Sequence, residues 1–572
     1  MRIGKARYLA PVAALVVMAS ACSNDDGQST EEAQEENASL EATDLNPAPR
    51  EDLQEGGQFV WALSEYEDQY NMVHIQGNKA DVRRVMAGLM PSITRFQPDG
   101  TYEPREEYVL DYGVSEDGLT VDFTLNPDAT WSNGEPVTWE DYAAQVAVIN
   151  GEVEGEFEIQ GDDGYKYIEE VVEGEDEFSF TLEFSQPYSD WPALFDIVYP
   201  KEYMQDEELF AEGYTEGEEF VTAGPFANPE FDEVTQRITV SRNDDWWGDP
   251  ALLDEIIFVN VAIDGQATAF NNGEIDGFYL GYDSAGYKLL EGKEGAYFTR
   301  AVNNGHRFVS VNAGSEILSD KNVRHALAMG INRDTLANVA LSPVDWPITG
   351  EVNRLLRSSQ HGYQDNSGEL GEYNPERAGE LLDEAGWTLE EGAEFRTNAD
   401  GETLTLSYVA SDDMQLAKDE ADITREMLAE IGIEVDVQHV PGNALFSDYI
   451  IPGNYELAAF VLTGSNPYAT SSAGNFGGPY DEDGEDWGNN VSFHSTPEIN
   501  DLFEELGQET DPDRYAEIAN EIDAAIWDEV LTVPMFERPG QYVLKDNLHN
   551  WGEFGLAGDY VYEDIGWAKD EE

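Results

Sequence analysis

The chain has 572 residues, 41% of them hydrophobic, which is ample for a large core divided among several domains. It carries 118 Asp plus Glu against 30 Lys plus Arg, for a formal net charge of -88, and has one cysteine, Cys22. The charge excludes nucleic acid, whose phosphates need a basic surface, and disfavours docking on anionic lipid; the lone cysteine excludes disulfides and a zinc cluster. Acid spread this evenly predicts adaptation to a salty medium, where self-repulsion is screened within about 3 Å at 1 M salt.

At the start, MRIGKARYLAPVAALVVMASAC places Arg2, Lys5 and Arg7 before an apolar run from Tyr8 to Met18 and then small residues. That is the layout of a secretory signal, predicted here over residues 1–21. The run is too short for a membrane span, which needs about 20 residues. Ala19-Ser20-Ala21-Cys22 resembles the bacterial lipobox, with Ala19 where leucine is usual. The resemblance implies cleavage before Cys22 and lipidation of its sulfur, leaving the mature chain on the outer face of the cytoplasmic membrane. Residues 22–55 are rich in Asp, Glu, Gln, Ser and Asn, and are predicted to form a disordered tether.

Beyond residue 56, GQFVWAL, LTVDFTLN, EFSFTLEF and RITVSRN alternate with period two, as half-buried strands do. Thr138-Trp139-Glu140-Asp141 has the capping-box pattern of a helix start, and Asn133-Gly134 before it supplies a tight turn. Asn374-Pro375-Glu376 predicts a helix that stops near Gly386; Thr496-Pro497-Glu498 and Asp511-Pro512-Asp513 repeat the device. Tyr515, Ile518, Ile522 and Ile526 mark the buried stripe of the last long helix. The elements predict an α/β chain.

Five blocks occur in a telling order: LNPDATWSNGEPVTWEDYAAQV; TAGPF with SRNDDWWGDPALLDEIIF and FNNGEIDGFYL; RFVSVNAGSEILSDKNVRHALAMGINRDTL; YNPERAGELLDEAGW; and LTVPMF. Together they resemble the family 5 extracellular solute-binding proteins of ATP-driven importers, which include oligopeptide- and dipeptide-binding proteins. The resemblance covers roughly residues 57–567. It implies a two-lobe periplasmic-binding-protein-like α/β fold with the ligand enclosed between lobes. Lobe I would comprise residues 56–302 and 530–567 with an appended subdomain at about 96–189, and lobe II residues 303–529. The Trp131-Ser132-Asn133-Gly134 block, Gly224-Pro225 and Asn243 to Gly248 are expected to be scaffold.

The implied partners are a small solute, a peptide or similar, and the permease subunits of the importer, with the receptor acting as a monomer and needing no cofactor. Peptide-binding relatives hold the ligand's α-ammonium with an aspartate; in FVLTGSNPYATSSAG that place is taken by Ser465. A neutral hydroxyl does not replace a buried carboxylate opposite an ammonium. Either a nearby acid such as Asp283 compensates, or the ligand lacks a free amino terminus. Tyr66, Trp346, Ser465, Asn466 and Tyr468 are the expected cleft residues, because their segments correspond to the family's cleft loops.

No Gly-x-Ser-x-Gly elbow, phosphate loop or His-Glu-x-x-His occurs, and the seven histidines are scattered, so catalysis is not expected. The acidic run from Asp481 to Asp486 lacks the spacing of a calcium loop, and no metal site is expected. An alternative function is that of lipoproteins of this fold linked to envelope glycolipid (mannolipid) assembly without transport.

Overall fold

The computed structural model describes residues 40–569 apart from 160–163, 216–217, 349–351, 464–466, 480–483, 485 and 559. Cys22, the signal segment, Ser465, Asn466 and most of the acidic run at 481–486 lie outside the described residues.

The architecture is a mixed α/β fold organised around two main sheets. The first has seven strands in the order Ala296–Phe298, Tyr542–Lys545, Gly277–Tyr279, Gln58–Leu63, Glu255–Asn260, Arg237–Arg242, Phe226–Asp232. Its core is strongly aromatic: Trp61 stacks on Phe59 at 5.6 Å and meets Trp551 and Tyr560 edge-on. Truncating one such buried ring costs about 3–5 kcal/mol. A separate antiparallel sheet, Val109–Val114, Thr120–Leu125, Ser179–Phe184 and Ile168–Glu173, packs into the same core through Phe123, Phe180 and Trp191.

The second main sheet runs Glu434–Val440, Thr405–Ser411, Leu457–Thr463, Ala301–Val311, Thr532–Gly540. It buries Val309, Tyr408, Val533 and Met535 against helical residues Leu327, Leu336 and Leu428. Three other helices begin where the sequence predicts. Asn374 caps Pro375–Glu384, Thr496 caps Pro497–Gln508 and Asp511 caps Pro512–Glu529, each side chain accepting from backbone N–H groups of the first turn.

The chain passes between the sheets twice, side by side. Ala301–Val311 enters the second sheet just after Phe298, and Thr532–Gly540 leaves it just before Tyr542; the two pair antiparallel, with Ala301 opposite Gly540. Thr299 fastens this crossing, its hydroxyl donating to Gly540 O at 2.9 Å and accepting from Tyr542 N at 2.8 Å.

Two boundaries differ from expectation. The return to lobe I was placed at residue 530, yet Thr532–Gly540 belongs to the second sheet, because Val533 and Met535 fill that core. The tether over 22–55 is not free along its whole length either. Among its described residues, Val302 N donates to Glu41 O, and the Asp44 carboxylate accepts from Arg300 N at 2.8 Å and from the Tyr297 hydroxyl at 2.9 Å. Arg50 pairs with Asp564 at 2.6 Å. Specific polar partners dock this stretch where its composition offers little apolar surface.

Candidate functional site

The opening motifs interlock as scaffold. Thr138 and Asp141 form a capping box, the Asp141 carboxylate accepting from Thr138 N at 2.8 Å and from Lys201 N at 2.9 Å. Gly134 has φ 88°, the turn geometry expected of Asn-Gly. Ser132 N donates to Thr222 O at 2.7 Å, joining this block to the one containing Gly224. A side chain at Gly224 would meet Gly88 O at 2.4 Å, so close backbone approach fixes that glycine.

The candidate site is the seam between the two main sheets. From the first come the loop after Gln58–Leu63 and the loop after Gly277–Tyr279; from the second come the segment at 342–348, the segment after Leu457–Thr463 and the strand Thr532–Gly540. Asp81 pins the first loop by accepting from Ser64 N at 2.7 Å and Glu65 N at 3.0 Å, while pairing with Arg84. Beside it Glu67 pairs with Lys79, and a hydrogen bond with Glu67, reinforced by burial, raises the pKa of Glu65. Tyr66 is half-buried against the first core.

Of the other expected residues, Tyr468 is half-buried and meets Phe96 of the first half edge-on at 5.7 Å, so it spans the seam. Trp346 is buried in the second core, with the Arg300 guanidinium 5.5 Å from its ring. It serves the crossing point as a packing residue. Asp283 caps the helix Ser284–Leu290, accepting from Ala285 N and Gly286 N at 3.1 and 2.9 Å. Its carboxylate is engaged there.

Sequence reasoning missed three features of the seam. Asp190 follows the four-stranded sheet and is buried; its carboxylate accepts from Ser189 Oγ at 2.8 Å, from Thr470 Oγ1 and from Tyr515 Oη at 3.3 Å. Ser189 N donates to Gly507 O at 2.9 Å, so the halves meet here as well as at the crossing strands. Burial, with no cation opposite among the described residues, pushes Asp190 up to about 6. Second, Arg307 and Glu420 form a fully enclosed bidentate pair at 2.7 and 2.5 Å. Third, Tyr279, Tyr282 and Arg538 converge where the strand Thr532–Gly540 reaches the first sheet: Arg538 Nε donates to Tyr279 Oη at 2.8 Å, and Tyr282 meets Phe536 edge-on at 5.8 Å. The one cue in sequence was an arginine just after the LTVPMF block in an acid-dominated chain.

An apolar pocket of about 340 Å³ adjoins the strand that leads to Ser465, lined by Phe308, Phe446, Phe460, Leu462, Phe476 and Phe493. A larger concavity of about 620 Å³ is lined by His74, Phe210 and acids such as Glu158 and Glu208, none of them on the seam. Its acid lining marks it as part of the solvated surface. Among the described residues no group of three or more His, Cys, Asp or Glu is arranged to hold a metal ion, and no helix is long and apolar enough to cross a membrane.

Residues 103–484 match the profile of the bacterial extracellular solute-binding proteins, family 5. The chain belongs to this family. It is 32% identical over 532 residues to the oligopeptide-binding protein OppA of Mycobacterium tuberculosis, covering 92% of this chain and 87% of that one. Its fold is that of a periplasmic EDTA-binding protein, EppA (TM-score 0.78, 24% identity, 90% and 97% of the chains), and of AppA from Bacillus subtilis solved with a nonapeptide (TM-score 0.74, 18% identity, 90% and 100%). This family 5 chain is a binding protein of the transporter type and not an enzyme.

Proposed function

We propose that this family 5 protein captures peptides in the seam between its two main sheets and delivers them to the permease of an ATP-driven importer. The observation that carries the reading is the 32% identity to an oligopeptide-binding protein, sustained over 92% of the chain and 87% of the relative. The geometry supports it. Two adjacent crossing strands allow one half to rotate against the other, and enclosure removes water from polar contacts with the ligand, which strengthens them. In this reading the first lobe comprises about 56–300 and 541–569 with the four-stranded sheet appended, and the second about 301–540. Tyr66 and Tyr468 are the described residues assigned to the ligand, and the sequence assigns Ser465 and Asn466 to it as well. Lipid on Cys22 holds the monomeric receptor at the outer face of the cytoplasmic membrane.

Because serine replaces the acid that pairs with an ammonium, the favoured ligands lack a free amino terminus. Native mass spectrometry of protein isolated from its own host tests the reading. Co-purified peptide is the expected result; a sugar or mannolipid in its place would overturn it in favour of envelope glycolipid assembly.

A further inference from the structure

The acid surplus leaves few buried or half-buried arginines without an anionic or carbonyl partner, and the half-buried Arg538 departs from the pattern. Arg307 is held by Glu420, Arg354 by Asp523 and Arg324 by Glu529. Arg357 donates to the carbonyls of Asn353 and Arg354 and contacts His306 Nδ1. Arg538 uses only its Nε, on the neutral phenol of Tyr279, with its guanidinium 4.0 Å from the centre of that ring. Tyr279 Oη in turn donates to Pro539 O at 2.9 Å, which locks the ring beneath the guanidinium. Among the described residues nothing accepts from Nη1 or Nη2, and no carboxylate is in ion-pair contact.

The acid whose field reaches it is Glu553, whose oxygens are engaged by Asn303 Nδ2 and Gly555 N, each at 2.8 Å. Burial pushes Glu553 up to about 7, so it only partly counters the arginine at neutral pH. Beside Arg538 lies Tyr282, whose hydroxyl is buried and, among the described residues, has no hydrogen-bond partner. Burial raises its pKa to about 12, which keeps it a proton donor. A planar pair of guanidinium N–H groups and one O–H thus meet at the seam, with no acceptor among the described residues to satisfy them. Their complement is an acceptor-only, negatively charged, planar group.

We infer that Arg538 and Tyr282 form an anion-recognition point in the floor of the cleft and take a carboxylate of the bound solute. The inference rests on the receptor reading above and deepens it: the transported peptides are selected for an acidic group, supplied either by an Asp or Glu side chain or by the carboxyl terminus. Selection of an acid by so acidic a protein needs a local cation in a low-dielectric site, which the crossing strand provides.

The test uses the full chain and an equimolar library of three- to five-residue peptides with acetylated amino termini, made with free and with amidated carboxyl termini and with Asp/Glu or Asn/Gln inside. Retained peptides are identified by mass spectrometry after gel filtration. Wild type is expected to enrich carboxylate-bearing members about tenfold or more over neutral counterparts, the scale of a charged hydrogen-bond pair. Arg538→Gln and Tyr282→Phe should each pull that ratio towards one, and Arg538→Lys should fall between. If Arg538→Gln does not fold, Tyr282→Phe and Arg538→Lys carry the comparison. Loss of enrichment on amidation identifies the terminal carboxylate; loss with Asn/Gln identifies the side chain. Peptides retained by wild type without preference for acid would overturn this inference and leave the receptor intact. No retained peptide would overturn the receptor reading and this inference with it.

Discussion

Asp190→Asn is the substitution whose effect is worked out most directly from the structure. Asp190 is buried where the halves meet, with three hydroxyl donors and no cation among the described residues, and its pKa is pushed from 3.8 up to about 6 by burial. When the halves separate, water returns and the ordinary value is restored. A difference of about two units is about 3 kcal/mol against the ionised, closed arrangement. The raised value belongs to the closed state, so the stabilisation of closure is fully present below about 4 and is lost as pH rises through about 6. Going from about pH 7.5 to about pH 5 therefore raises the closed-to-open ratio about tenfold through this group alone.

The assay is single-pair energy transfer between dyes on cysteines placed at exposed Val234 and Leu389, one on each half, with Cys22→Ser. Other buried acids such as Glu553 titrate in both proteins, so the comparison isolates Asp190. Wild type should close more as pH falls, and Asp190→Asn should lose about a tenfold share of that response. Superimposable pH profiles for the two proteins would show that Asp190 does not couple closure to pH.

Three further outcomes follow from the structure. Asp523→Ala leaves the fully buried Arg354 without its carboxylate and should lower unfolding free energy by about 3–5 kcal/mol in denaturant titration. With a net charge of -88, the melting temperature should climb steadily from dilute buffer to about 2 M KCl, and a flat response would remove the case for salt adaptation. In the native host, Cys22→Ser should move the protein from the membrane fraction to the soluble extracytoplasmic fraction, read by immunoblot.

Local chemistry was legible in the sequence; long-range convergence was not. Asn374, Thr496 and Asp511 announced their helices because a cap, a proline and an acid act within one turn. Strands with one wet face, such as Thr120–Leu125, showed their alternation. Thr532–Gly540 did not, since it is buried along nearly its whole length, and that hid its place in the second sheet. The docking of residues 40–46 depends on Asp44 meeting Arg300 and Tyr297, partners that composition cannot reveal. Candidate site residues were legible only as segments. Tyr468 lies at the seam, whereas Trp346, expected in the cleft because its segment corresponds to a family cleft loop, packs in the second core. Thr470 reaches Asp190 across 280 positions and Arg538 reaches Tyr279 across 259, and no local pattern encodes either.

Hydrogen exchange with and without the peptide pool retained by the protein tests most directly whether a peptide is held between the two bodies. Bound peptide should protect together the loop at 64–68 and the segment at 279–283 on one side, and the segments at 467–472 and 536–540 on the other. Protection confined to one body, or found only around the acid-lined concavity of His74 and Glu158, would contradict it.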